Sequence, residues 1–247
     1  MSQTTSRDGT RFYTVPDGEG KGGTVDLPSV TTILKVLDKP GLIYWAANSV
    51  ADYAIENHAT VGALLAKDDR DGAYQLLKKS PWSQRDRAAV SGTEVHDIIE
   101  RLILGQQVDV PVAAQPYIDA WGKFVGDYGN NFEASEMTVY SLTHGYAGTA
   151  DALLRVGDRL GVCDWKTARG KSYRKRKAYT AELLQVAAYA NAEYALLPDG
   201  SAERLPTIDG GTVVALCDDG YSATKIESDY HFRGFVAALG YHRWINQ

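Results

Sequence analysis

The feature that most constrains this 247-residue chain is a pair of alternating apolar runs near its middle. Residues 150–156 and 160–167 flank Gly157-Asp158, a glycine-first dipeptide of the kind a type II′ hairpin turn prefers. Facing residues of an antiparallel pair have a constant index sum, and a two-residue turn here sets that sum at 315. Asp151 and Asp164 then face each other, and Lys166 shares the face of Asp164 because side chains alternate along a strand. Two carboxylates about 5 Å apart repel. A divalent cation, which takes hard oxygen ligands, would offset that repulsion. A neighbouring ammonium can orient or deprotonate a water, or stabilise charge on a phosphate. The same residues also fit a plain surface hairpin with a lysine–aspartate ion pair.

Around this hairpin the pattern predicts a mixed fold. Arg11 to Val15 reads as a short strand, and PDGEGKGG at 16–23 as a turn. LPSVTTILKVL reads as a short helix capped by Ser29. Residues 42–58 read as an amphipathic helix, and 60–79 as one or two more, interrupted at Asp71-Gly72. Val90, Val95, Ile98, Ile99, Leu102 and Ile103 give helical spacing over 83–105, with Gly105 at the C-terminal cap. Further helices are expected over 112–128, 179–197 and 230–245. Further strands are expected over 132–142, 212–217 and 223–226, the last two joined around Asp218-Asp219-Gly220. Helices followed by strands, then by mixed elements, predict an α/β (α+β) class with a mixed central sheet flanked by helices.

Composition excludes several classes. Hydrophobic residues at 44% and charged residues at 23% are ordinary globular usage, so wholesale disorder and collagen-like folds are ruled out. Cys163 and Cys217 are too few for a disulfide scaffold or a four-cysteine iron–sulfur cluster. No apolar run approaches a membrane span and the first ten residues hold no apolar signal core, so a cytoplasmic protein without a membrane partner is expected. Gly18, Gly20 and Gly23 match GxGxxG, but the following TVDLPS is not helical, which argues against a dinucleotide loop. Five histidines show no zinc spacing. The net charge of −5 conceals one local excess. Seven cations and no acid lie between Trp165 and Ala181, leaving −12 on the rest of the chain.

Two helical pairs complete the set. His96 and Glu100, and later Gln185 and Tyr189, are each four apart and so share a helix face. Either pair alone also fits ordinary helix-surface polarity. Together, in order, the chain reads Gly92-Thr-Glu-Val-His96-Asp-Ile-Ile-Glu100, Gly148-Thr-Ala-Asp151, Asp164-Trp-Lys166-Thr167 and Gln185-Val-Ala-Ala-Tyr189. This ensemble resembles the RecB-like branch of the PD-(D/E)XK nuclease superfamily, matching its histidine helix, GxxD motif, DWKT-type strand and QxxxY helix across roughly residues 85–245. LPSVTTIL followed by Trp45 is similar to the leading segment of many bacteriophage members.

The resemblance implies a restriction-endonuclease-like core over 83–247, and the helical, weakly charged residues 1–82 read as an N-terminal sub-domain that serves as a lid or partner surface. It implies one or two Mg²⁺ or Mn²⁺ ions bound by His96, Asp151 and Asp164, with the Trp165 carbonyl as a further ligand. Lys166 would position or activate the attacking water, and Glu100 would orient His96 or a water. Gln185 and Tyr189 would support the site or touch the DNA backbone. Lys171, Tyr173, Arg174, Lys175, Arg176 and Lys177 would line a phosphate-tracking edge, with Tyr173 or Tyr179 available to stack on a base. The same run also reads as a solvated loop. The implied activity is metal-dependent DNA exonuclease action, processing ends for bacteriophage recombination or repair in the host cytoplasm. The partners would be DNA and a single-strand annealing protein or further copies of the chain. The alternatives are a structure-specific endonuclease and a non-cleaving module that binds nucleic acid or a recombination partner. Trp45, Trp82, Trp121 and Trp244 are expected to pack in the core or sub-domain.

Overall fold

A computed structural model of the chain describes residues 4–7, 10–18, 22–39, 41–168 and 172–246, and for 4–9 and 83–91 no side chain. The chain divides into two compact units: Met1–Leu37 together with Val95–Gln247, and Asp38–Glu94. The first 37 residues group with the larger unit, and the smaller unit ends at Glu94.

The larger unit opens with an antiparallel three-stranded sheet, β1 (Thr4–Arg7), β2 (Thr10–Pro16) and β3 (Thr24–Pro28). A single-turn helix, α1 (Val30–Ile33), follows, and the Ser29 hydroxyl accepts the Thr32 N–H at 3.0 Å as its cap. The Asp38–Glu94 unit contains α2 (Gly41–Glu56), α3 (His58–Ala66) and the beginning of α4 (Arg70–Ile103).

Of the one or two helices expected over 60–79, α3 takes the first part, and the rest runs on into the helix expected over 83–105 as one continuous α4. Asp69 accepts the Gly72 N–H at 2.8 Å, so Asp71-Gly72 forms the first turn of a helix rather than a break. Pro81 lies inside that helix and removes the hydrogen bond that the Leu77 carbonyl would accept. The Ser80 hydroxyl donates to that carbonyl at 2.8 Å and satisfies it. At the far end, Gln106 N–H bonds the Arg101 carbonyl and Gly105 N–H bonds that of Leu102. With Gly105 at φ 70°, this is a Schellman cap.

The large sheet is mixed and seven-stranded. Its strands are β4 (Phe132–Ser141), β5 (Tyr146–Val156), β6 (Arg159–Ala168), β7 (Tyr194–Leu196), β8 (Ala202–Arg204), β9 (Gly210–Cys217) and β10 (Gly220–Lys225). The order is β10-β9-β6-β5-β4-β7-β8, with β6 and β9 parallel and the other pairs antiparallel. The helices α5 (Gln115–Tyr128), α6 (Thr180–Ala190) and α7 (Ser228–Ile245) complete the unit. Alternation splits the core in two. Val162 and Val213 pack with Leu184, Val186 and Phe235 of α6 and α7, while Cys163, Trp165 and Val214 pack with Val95, Ile99 and Phe124 of α4 and α5. The helix expected to reach residue 197 ends at Ala190. Tyr194–Leu196 instead joins the sheet as β7, where Tyr194 pairs with Tyr140 and stacks on its ring.

Of the tryptophans expected to pack internally, Trp121 does so, stacked on Phe132. Trp45, Trp82 and Trp244 are exposed, with Trp244 stacked on the exposed Tyr241. No helix among the described residues is long and apolar enough to cross a membrane.

Candidate active site

The β5–β6 hairpin has the register its sequence predicts. Val156 pairs with Arg159, Leu154 with Gly161 and Ala152 with Cys163, all at an index sum of 315. Gly157 has a φ of 60°, the positive value that the first corner of a type II′ turn requires. One step beyond the last pair, Asp151 and Asp164 stand at the open end.

The two carboxylates have different surroundings. Asp151 Oδ2 accepts the Trp165 main-chain N–H at 2.6 Å and lies 3.5 Å from His96 Nδ1. Asp164 has no exposed surface. Its Oδ1 accepts from Gln185 Nε2 at 3.0 Å, and its Oδ2 faces Lys166 Nζ at 2.6 Å but takes no well-directed hydrogen bond. Thus α4 reaches Asp151 from one face of the sheet and α6 reaches Asp164 from the other. Gln185 Nε2 also donates to the Tyr189 hydroxyl at 3.0 Å. The Tyr189 ring lies over Gly148, where a Cβ would collide with it. The Tyr13 hydroxyl bonds Thr149 Oγ1 at 3.0 Å, so the three-stranded sheet also supports this segment.

Burial raises the Asp164 carboxyl above its ordinary value, and the charge of Asp151 adds to the effect, against the opposing pull of Lys166. Burial alone would lower the Lys166 ammonium, but Asp164 and Asp151 outweigh it and hold the group above its ordinary value. Lys166 is therefore a fixed cation, suited to positioning a water or a phosphate oxygen rather than to removing a proton. Burial likewise works against protonated His96, and the neighbouring Asp151 carboxylate reverses it.

Other expected residues are placed differently. Glu100 lies on the His96 face of α4 but makes no hydrogen bond to it among the described residues; its charge acts on Glu136. Trp165 contributes its main chain to the site, while its side chain is buried edge-on against Phe124 and Phe132. In the basic run, Arg174, Lys175 and Lys177 are exposed. Arg176 is not part of a phosphate-tracking edge. It is buried, its guanidinium held by both Glu182 oxygens at 2.6 and 2.8 Å and stacked 4.3 Å from the Tyr179 ring. Tyr173 is half-buried against Gly220, so it is a tether rather than a free stacking platform. Lys171 falls outside the described residues.

One acid at the site goes unmarked by the motifs. The pairs Ser135 with Ala152 and Met137 with Ala150 place Glu136 opposite Asp151. Ligand atoms of His96, Glu136 and Asp151 all lie within 4.8 Å of one another. Desolvation raises the Glu136 carboxyl to about 7, with the charge of Asp151 adding to it. The usable signal is an acid on the strand antiparallel to the GxxD strand. Reading it requires the β4–β5 register, which the four-residue connection 142–145 does not dictate. The donor chemistry, imidazole nitrogen with carboxylate oxygen, suits Mn²⁺ or Mg²⁺.

No protein-family model matches the chain, and no curated protein matches it.

Proposed function

We propose that the chain is a metal-dependent deoxyribonuclease that hydrolyses phosphodiester bonds, working inward from DNA ends as a recombination or repair exonuclease. The observation that carries this reading is the convergence of four elements on one carboxylate pair. His96 from α4 meets Asp151 on β5, while Lys166 on β6 and Gln185 on α6 meet Asp164. These side chains come from sequence positions up to 89 residues apart, between His96 and Gln185. An ordinary surface hairpin has no need to gather them, and repelling buried carboxylates are costly unless a cation offsets them.

His96, Asp151 and Asp164 would hold Mg²⁺ or Mn²⁺. When bound, such an ion polarises a phosphoryl oxygen and makes water a better nucleophile. Lys166 stays protonated and directs its charge at the scissile phosphate or at the attacking water. Gln185 fixes Asp164 and is itself fixed by Tyr189, which limits the drift of the site. Exposed Arg174, Lys175 and Lys177 supply sequence-independent phosphate attraction.

The test is a digest of 5′-labelled and 3′-labelled linear duplex, single strand and closed circular DNA, with Mg²⁺ and with EDTA. Metal-dependent loss of linear DNA with the circle spared is the expected result, and the label released first gives the polarity. Nicking of the circle would replace the exonuclease reading by an endonuclease. Absence of cleavage under any metal would replace it by a non-cleaving nucleic-acid module.

A further inference from the structure

We propose that Glu136 is a metal ligand, seating a divalent cation together with His96 and Asp151. The inference extends the nuclease reading and rests on it for the purpose of the ion. Three elements that are separate in sequence supply the three groups: α4, β4 and β5. Their ligand atoms all lie within 4.8 Å of one another, a spacing at which one ion can reach all three. The 3.5 Å between His96 Nδ1 and Asp151 Oδ2 is too long for a good charge-assisted hydrogen bond, and the close donor to that oxygen is the Trp165 main-chain N–H at 2.6 Å.

Glu136 also differs from its neighbours on the same strand. Glu133 is neutralised by an ion pair with Arg155. Glu136 has no such cation among the described residues, although it stands opposite another carboxylate. Its backbone adopts φ 46°, the left-handed region that a non-glycine residue rarely enters within a strand. One imidazole and two carboxylates leave open positions for waters and a phosphate oxygen. They favour Mn²⁺ over the harder Mg²⁺, because imidazole suits the transition metal better.

The experiment is a Mn²⁺ titration of the whole chain, followed by calorimetry and by the EPR signal of free Mn²⁺. It compares the natural sequence with Glu136→Gln, Asp151→Asn and, as a control, Glu133→Gln. Glu136→Gln is expected to weaken Mn²⁺ binding at least about tenfold. Its melting temperature in EDTA should be no lower than that of the natural chain, since the change removes a repelling charge. Glu133→Gln should bind as the natural chain does. Unchanged Mn²⁺ affinity in Glu136→Gln overturns the proposal, as does a natural chain that takes up no Mn²⁺. The digest separates this inference from the one beneath it. Mn²⁺ held through Glu136 without DNA cleavage retains the site and removes the nuclease. Cleavage with Mn²⁺ affinity indifferent to Glu136 retains the nuclease and removes the ligand.

Discussion

Two hairpins, each closed by two residues, lie side by side in the large sheet and use their aspartates in opposite ways. In β5–β6 the acids sit on the strands at the open end, Asp151 and Asp164, deep enough that neither is exposed. In β9–β10 they sit at the turn, Asp218 and Asp219, on the surface. Asp219 accepts the Ser172 hydroxyl at 2.7 Å and the Tyr173 N–H at 2.9 Å, and these neutral donors hold its carboxyl below the ordinary range. Asp164 is raised by burial and by Asp151. The difference shows what separates a structural carboxylate from a chemically poised one. Neutral donors stabilise the charge where it stands, whereas burial beside a like charge leaves it in need of a cation. The first arrangement ties the basic loop to the sheet; the second makes a candidate metal and phosphate site.

The sharpest way to break this contrast is Lys166→Ala. It leaves Asp164 buried with Gln185 as its remaining donor, and breaking a buried pair from one side costs about 3–5 kcal/mol, measurable by urea denaturation. On the proposed function, cleavage should fall at least about 10²–10³-fold. Full activity in a folded Lys166→Ala protein would falsify the assignment of Lys166.

Gly148→Ala comes next. The added methyl would push into the Tyr189 ring and cost about 1–3 kcal/mol, and it should also reduce activity by disturbing the Tyr189–Gln185–Asp164 bridge. A variant with unaltered melting temperature and activity would show that this bridge is not what orders the site.

The acids at the two sites should also differ in the sign of their pH dependence. Glu136, beside Asp151, is raised from 4.5 to about 7, so the folded state binds its proton more tightly than the unfolded state. In EDTA, that contribution to stability is complete below about pH 4.5 and is lost as pH rises to about 7. Asp219 is lowered from 3.8, so its contribution is present above that value and lost as pH falls below it. Melting temperatures of Glu136→Gln and Asp219→Asn across pH 3–8 would test both signs. A Glu136→Gln protein that keeps the natural chain's slope between about pH 4.5 and 7 would reverse the first.

The smallest effect is expected at the surface. Asp219→Ala releases the tether on Ser172 and Tyr173 and should hardly change global stability, since both bonds are exposed. Arg174→Ala should weaken DNA binding equally across sequences and reduce the salt slope by about 1. A binding curve indifferent to Arg174 at low salt would detach the basic loop from DNA.

What could be read in advance was local. A glycine-first turn and strict alternation determine the β5–β6 register, because pairing beside a two-residue turn leaves no freedom to slip. Ser29 as a cap and Gly105 at a helix end follow from backbone groups that only nearby atoms can satisfy. The sequence alone thus determined the carboxylate pair, the lysine beside it and the helix-face pairs His96/Glu100 and Gln185/Tyr189. Whatever depended on distant partners was settled in three dimensions. Residues 194–196 continue a helical pattern but become a strand because the edge of β4 offers backbone pairing and a ring for Tyr194. Pro81 lies inside α4, where the Ser80 hydroxyl satisfies the Leu77 carbonyl that the proline leaves without a donor. Arg176 sits in a run of cations, but the Glu182 carboxylate takes it inside. Glu136 gained its place opposite Asp151 from a strand register set by packing, because a four-residue connection closes in several ways and only the core on both faces of the sheet selects among them.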